Sequence, residues 1–145
     1  MGQDFEVIRY DGAGFLAFYG IDVSKYGFND FGKQNTTFAG LKIKQLENDI
    51  KGIIGRTFTK PDYTSFSFAE EVNIFTDRAI KTTIRIPAKQ DVYVTKNYCE
   101  SEGILPRGMK IKINDAKAIF EAQRIFGTSK ARLSFKIEID AEIVL

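Results

Sequence analysis

The most restrictive pattern in this sequence is the alternation of apolar and polar residues along its last fifteen positions, ARLSFKIEIDAEIVL. Leu133, Phe135, Ile137 and Ile139 occupy every second position, which places them on one face of a β-strand. An α-helix would distribute the same four residues around its axis. The pattern therefore predicts that the chain closes with a strand that has one buried face.

Shorter segments upstream predict further strands, because β-branched and aromatic residues are frequent in them. They are FEVIRY at 5–10, YTSFSF at 63–68, and the runs 80–86, 91–95 and 102–113, the last with a break at 106–108. PAKQ is the predicted turn between the runs at 80–86 and 91–95. The segment DAKAIFEAQRIF fits either a helix or a strand.

Two segments predict helices. Between Leu41 and Ile54 the isoleucines and leucines recur at spacings of three and four, and Gly55 is a suitable end. Ser67 followed by Glu70 forms a capping box, which predicts a helix over about 68–78. Residues 11–40 predict irregular structure with a short helix. Together these elements indicate a single α+β domain over 1–145, with a C-terminal half that is mainly β-sheet.

Composition excludes several classes of function. The chain has no histidine, so His-based zinc sites and Ser-His or Cys-His nucleophiles are excluded. Cys99 is the only cysteine, which rules out an internal disulfide and a cysteine-rich metal site. The net charge of +2 gives no electrostatic argument for a nucleic-acid partner. No apolar run has the length of a membrane span, and the first ten residues do not form a secretory signal.

One short stretch, NYCESEGILPRG, carries two glutamates that folding does not require. Glu100 and Glu102 are two residues apart, so in a strand they point to the same side and repel each other. This pattern is typical either of a solvated strand edge or of a site where two acids do different jobs. Because no histidine is present, carboxylates are among the few groups left for acid–base work.

Three fragments in order resemble the mono-ADP-ribosyltransferase toxins, most closely the enzymatic components of clostridial binary actin-modifying toxins. They are the arginine of VIRY, the serines of YTSFS and the Glu-x-Glu of YCESEG. The intervening segments RAIKTTIRIPAKQDVYVT, EGILPRGMKIKI and IDAEIVL are also similar to strands of that family. The resemblance implies a mixed β-sheet core with short flanking helices. The N-terminal helices of the toxins have no counterpart here, which leaves either a minimal transferase or a chain that lacks its N-terminal part.

The resemblance also implies roles for individual residues. Glu102 would bind a hydroxyl of the nicotinamide-side ribose of NAD and stabilise the positive charge that develops as the bond to nicotinamide breaks. Glu100 would orient and deprotonate the acceptor, and glutamate at this position accompanies arginine acceptors in the family. Arg9 would hold an NAD phosphate through its planar fork of donors. Ser65 would form a hydrogen bond with Glu102 and fix its rotamer. No metal is required.

The expected function is therefore an NAD-dependent protein mono-ADP-ribosyltransferase, arginine-specific, that acts as a toxin or effector on a protein acceptor, for example one like actin. Such a protein would be secreted or delivered into the cytosol of a target cell. Two alternatives remain open at this point. One is a catalytically inactive transferase-like domain that serves in binding. The other is a small β-rich structural or phage assembly protein whose acidic pair is accidental.

Overall fold

A computed structural model describes residues 4–26, 33–35, 40–67, 78–94, 102–124, 127 and 131–145. The strands within these ranges are β1 (Phe5–Asp11), β2 (Lys33–Asn35), β3 (Thr57–Lys60), β4 (Thr64–Ser67), β5 (Ile80–Ile86), β6 (Tyr93–Val94), β7 (Glu102–Leu105), β8 (Met109–Arg124) and β9 (Ala131–Val144). One α-helix, α1, covers Gly40–Lys51, and 3₁₀ helices cover Ala13–Tyr19 and Val23–Tyr26.

The strands form one mixed sheet in the order β3-β8-β9-β5-β1-β4-β7-β6, and β2 also pairs with β9. Only the β5–β9 pair is parallel among these described strands. Strands β1, β4 and β7, which carry the arginine, the serines and the second glutamate, are neighbours although the sequence separates them widely. The predicted α+β class with a mixed β-sheet core and flanking helices is confirmed.

β8 and β9 are the two longest of the described strands, and they pair with each other. They are antiparallel from Lys110 opposite Val144 to Arg124 opposite Ala131, with a register shift between Ile113 and Asp115. The segment DAKAIFEAQRIF, which fitted both helix and strand, lies in β8 as far as Arg124. Pairing with β9 decides this outcome, because a strand partner offers the backbone a complete ladder of hydrogen bonds.

One face of the sheet is covered by the helical segments. Ile84 of β5 and Ile137 of β9 are on this face, and Val7 of β1 lies opposite Ile84. They belong to a single buried cluster with Leu16 of the first 3₁₀ helix and Ile50 of α1. The helical spacing in α1 and the alternation in the strands therefore supply the two sides of one core.

The opposite face of the central strands is polar. Charged residues alternate there with the buried ones, and two ion pairs cross between strands. Arg85 lies 3.5 Å from Glu6, and Lys117 lies 3.3 Å from Glu138. These side chains are about half exposed, so the pairs contribute little to the free energy of folding. The alternation read from ARLSFKIEIDAEIVL thus separates a buried face from a hydrated one.

Most of the predicted elements are confirmed within the described residues. The run at 80–86 matches β5, the break at 106–108 separates β7 from β8, and the nitrogen of Gln90 donates to the Pro87 carbonyl in the predicted turn. The predicted strand at 91–95 begins two residues later, since β6 covers Tyr93–Val94, and Thr95 lies outside the described residues. Residues 11–40 contain two 3₁₀ helices and β2 rather than one short helix.

The first predicted helix ends earlier than its apolar pattern suggests. α1 stops at Lys51, and Ile53 is buried from the turn that follows. Gly55 has φ of +85°, a conformation that glycine adopts without strain, and its nitrogen donates to the Ile113 carbonyl at 2.7 Å. The predicted helix at 68–78 lies almost entirely outside the described residues.

No helix in the described part of the chain is both long and apolar enough to cross a membrane. The prediction of a single domain over 1–145 stays a prediction.

Candidate active site

Three adjacent strands bring together residues that the sequence analysis selected. Ile8 of β1 lies opposite Ser67 of β4, and Ser67 lies opposite Glu102 of β7. Arg9 directly follows Ile8, and Ser65 lies two residues from Ser67 on β4. Arg9 and Glu102 therefore lie on the two strands that flank β4. The alternation of a strand turns the Arg9 side chain to the face opposite to that of Ile8, and its guanidinium reaches β4 at the Ser65 carbonyl.

The guanidinium of Arg9 is held from three directions. Its Nε donates to both carboxylate oxygens of Asp11, at 3.1 and 2.9 Å. Its Nη1 donates to the backbone carbonyl of Ser65 at 3.2 Å, which ties β1 to β4. The ring of Phe15 lies under the guanidinium, with 5.0 Å between Cζ and the ring centroid. Arg9 is thus a fixed cation beside β4, since each contact limits a different motion of its plane.

The Asp11 side chain is only 9% exposed, and that of Arg9 is 19% exposed. Two charges in such a sheltered place stabilise each other, because either alone would lose hydration without compensation. Tyr19 lies beside them in the core. Burial raises the pKa of its phenol well above the usual value, and the Asp11 carboxylate raises it further. Tyr19 is therefore a neutral phenol, and the charge at this point comes from Arg9 and Asp11.

The turn between β3 and β4 is fixed by a nearly buried lysine. The Nζ of Lys60 donates to the Asp62 carboxylate at 2.7 Å and to the Tyr63 carbonyl at 3.0 Å. The hydrogen bond from Lys60 holds the pKa of the exposed Asp62 carboxyl below its ordinary value, and Lys60 and Arg9 add smaller charge effects. The Lys60 carbonyl accepts from the nitrogen of Gly108 at 2.8 Å. The start of β4, and with it Ser65, is thereby held in place.

The two serines of β4 differ in exposure. Ser65 is exposed, whereas Ser67 is 7% exposed and directly opposite Glu102. Phe66 between them is buried, so its ring points away from Ser65 as the alternation of a strand requires. Ser65 lies opposite Ile104 and is a diagonal neighbour of Glu102. Such neighbours are within reach of a long side chain, because diagonal Cβ atoms are about 7–8 Å apart or less.

The acidic pair is only partly covered by the structure. The backbone of Glu102 begins β7, and its side chain is outside what the structure describes. Glu100 lies outside the described residues, as does the predicted capping partner of Ser67, Glu70. The assigned roles of Arg9, Ser65, Glu100 and Glu102 remain predictions.

Sequence reasoning overlooked two residues of this site. Asp11 follows Arg9 by two positions, so alternation along a strand places both on one face, and this signal was present in FEVIRYDG. No such signal was present for Phe15 in the sequence, because Phe15 contacts Arg9 only when the chain turns into the first 3₁₀ helix. Within the described part of the chain no group of three or more Cys, Asp or Glu side chains is arranged to hold a metal ion.

Comparison with solved structures shows which known proteins have a similar fold. No protein-family model matches the sequence, and no curated protein matches it. By structure, the chain is similar to Plx2a, an ADP-ribosyltransferase toxin from Paenibacillus larvae, with a TM-score of 0.66, 16% identity, and coverage of 100% of this chain and 63% of Plx2a. The chain has the ADP-ribosyltransferase fold.

Two further structures support the same fold. C3stau2 from S. aureus, solved with NAD, has a TM-score of 0.64 and 16% identity, with coverage of 99% of this chain and 63% of that one. The enzymatic component C2-I of the C2 toxin from Clostridium botulinum has a TM-score of 0.67 and 16% identity, with coverage of 99% and 32%. The chain thus spans less than two thirds of each of these three toxins. The fold predicted from the sequence resemblance is confirmed.

Proposed function

We propose that this chain is an NAD-dependent protein mono-ADP-ribosyltransferase that modifies arginine side chains. The observation that supports the proposal is that Arg9, Ser65 and Glu102 lie on three adjacent strands of an ADP-ribosyltransferase fold. Positions 9, 65 and 102 are far apart in the sequence, and an accidental acidic pair would not explain why their strands are adjacent. The solved structure of C3stau2 with NAD, which has the same fold, supports NAD as the substrate.

In this proposal Arg9 supplies the positive charge for a phosphate of NAD. A guanidinium presents five N–H donors in a rigid plane, which suits the oxygens of a phosphate better than a lysine ammonium does. The contacts with Asp11, Ser65 and Phe15 hold this plane before the substrate arrives. A donor that is already oriented loses less conformational freedom on binding, so affinity is gained.

Glu102 acts on the ribose from the other side of β4. Cleavage of the bond between nicotinamide and ribose leaves positive charge on the sugar, and a carboxylate stabilises such charge as it does in glycosidases. The electron pair of the broken bond leaves with nicotinamide, and a nitrogen of the acceptor arginine forms the new bond to the ribose carbon. Ser65 supports Glu102 by a hydrogen bond, which the diagonal arrangement of the two residues allows.

Glu100 gives the acceptor specificity in this proposal. An arginine side chain is protonated at neutral pH and is a poor nucleophile, so a second carboxylate is needed to accept its proton. Glu100 precedes Glu102, the first residue of β7, by two positions in the sequence. The partner is a protein with an accessible arginine, for example one like actin, and the chain acts as a secreted or delivered toxin or effector.

The direct test is incubation of the purified chain with isotope-labelled NAD and a eukaryotic cell lysate. We expect labelled protein bands, and mass spectrometry should locate ADP-ribose on arginine side chains. Glu102→Gln serves as the matched control, because it removes one charge with little change in shape. Label on asparagine or cysteine would contradict the arginine assignment alone. Absence of label together with absence of nicotinamide release would contradict the transferase assignment.

A further inference from the structure

We propose that Asp11 and Phe15 are positioning residues for Arg9, and that they set how tightly the phosphates of NAD are held. The inference rests on the proposed function, because it concerns the same substrate. Neither residue was selected by the sequence analysis, and neither needs to touch NAD for this role. Both act through the guanidinium that lies between them.

Contacts at Nε, at Nη1 and on one face of the guanidinium limit both its rotation and its tilt. Asp11 binds Nε with both oxygens, so rotation about the end of the side chain would break two contacts. Phe15 covers one face of the plane and resists tilting. The Ser65 carbonyl accepts a hydrogen bond from Nη1, which fixes this end of the guanidinium against β4. Because the guanidinium is rigid, fixing Nε and Nη1 also fixes the direction of every other N–H group.

Burial separates this arrangement from an ordinary surface ion pair. An exposed pair would be screened by water and would exchange partners freely. Here the Asp11 side chain is more buried than that of Arg9, so the carboxylate supports the guanidinium from the interior side and the guanidinium extends toward solvent. Phe15 is itself packed against Phe18 at 5.3 Å and Tyr19 at 5.7 Å between ring centroids. The ring under Arg9 is therefore held by the aromatic packing of the first 3₁₀ helix.

Asp62 is a matched control within the same region. It is a carboxylate close enough for Arg9 to lower its pKa, yet it is exposed and bonded to Lys60. If proximity of negative charge were what mattered, Asp62 and Asp11 would behave alike. If orientation of the guanidinium matters, only Asp11 should affect NAD binding.

The test measures NAD binding by isothermal titration calorimetry for the purified wild type, Asp11→Ala, Asp11→Asn, Phe15→Leu and Asp62→Ala, with circular dichroism as a check of folding. Asp11→Ala should weaken binding by up to about tenfold, because a residue that acts through Arg9 cannot have a larger effect than loss of the planar group itself. Asp11→Asn keeps an acceptor for Nε and should weaken it about fivefold or less. Phe15→Leu should weaken binding and Asp62→Ala should not.

A second arm asks whether Asp11 acts through Arg9. In an Arg9→Lys background the planar group is gone, so Asp11→Ala should then change NAD binding very little. An equal loss in both backgrounds would overturn the inference, as would unchanged or tighter binding in folded Asp11→Ala. If Asp11→Ala does not fold, Asp11→Asn and Phe15→Leu test the proposal in its place. Wild-type NAD affinity in both variants would overturn it. A wild type that binds no NAD overturns the proposed function, and the inference falls with it.

Discussion

The central strands β5, β8 and β9 and the site strands β1, β4 and β7 belong to one sheet but are built differently. β8 and β9 pair over nearly their whole length, and β5 alternates between buried positions, three of them isoleucines and one Thr82, and more exposed polar ones. β4 and β7 are only four residues long, and β1 carries the sheltered pair Arg9–Asp11 among its apolar residues.

The difference shows that the central strands contribute more to the free energy of folding than the site strands do. Apolar burial and long ladders stabilise the central strands. The site strands bury charges and polar groups, which contribute less and are retained when a function needs them. Substitutions in the central strands should therefore change stability, and substitutions in the site strands should change binding and catalysis with smaller effects on stability.

The largest effect is expected in the central strands. Ile84 is 1% exposed in the middle of β5, and Ile84→Ala should lower the free energy of unfolding by about 2–5 kcal/mol through the cavity it leaves. Chemical denaturation measures this value. Thr83→Ala, on the polar face of the same strand, is the control and should change it by about 0.5 kcal/mol or less. Equal losses in both would remove the distinction between the faces.

Glu102→Gln should have the next largest effect, and on catalysis instead of stability. In the proposed mechanism this substitution removes the charge that stabilises the ribose, and NAD hydrolysis, measured as nicotinamide release, should slow by about 10²–10³. The melting temperature should stay near that of the wild type. The exposed Glu138→Gln on β9 should leave hydrolysis unchanged. If Glu102→Gln hydrolyses NAD at the wild-type rate, the assignment of Glu102 to the active site is wrong.

Glu100→Gln should separate the two activities. Protein modification should fall about a hundredfold, since the acceptor arginine loses its base, while much of the slow NAD hydrolysis remains. Acceptor labelling and nicotinamide release are measured side by side. If both fall together, Glu100 supports the NAD site. If neither changes, the acidic pair is a solvated edge.

Arg9→Lys should weaken NAD binding about tenfold while the fold survives, because lysine keeps the charge and loses the fork of donors. Calorimetry gives the affinity, and the exposed Arg85→Lys on β5 provides the control. Equal NAD binding by Arg9→Lys and the wild type would make Arg9 a structural residue that joins β1 to β4.

The smallest effects should come from the serines of β4. Ser65→Ala should slow NAD hydrolysis by about tenfold or less, as expected for one lost hydrogen bond, with little change in stability. Ser67→Ala should lower the free energy of unfolding by about 1 kcal/mol, because Ser67 is nearly buried. The reverse pattern, with hydrolysis lost in Ser67→Ala only, would move the support of Glu102 to Ser67, which lies directly opposite it.

Much of the fold could be predicted from local patterns. The alternation in β5 and β9 and the helical spacing in α1 are visible in the sequence because each depends on neighbours within a few residues. The 115–124 part of β8 could not be decided in the same way, since its alanines and mixed spacing fit two structures. The end of α1 was also missed, because Ile53 is buried from a turn instead of from the helix.

The sequence by itself determined which chemistry the chain has available: no histidine, a single cysteine, and an arginine, two serines and two glutamates in the order typical of ADP-ribosyltransferase toxins. Tertiary structure alone decided that β1, β4 and β7 are neighbours, that Ser67 lies opposite Glu102, and that Phe15 lies under the Arg9 guanidinium. The physical reason is that strand order and register arise from burial of apolar faces between segments far apart in the chain, and a local pattern records which face is apolar without recording what covers it.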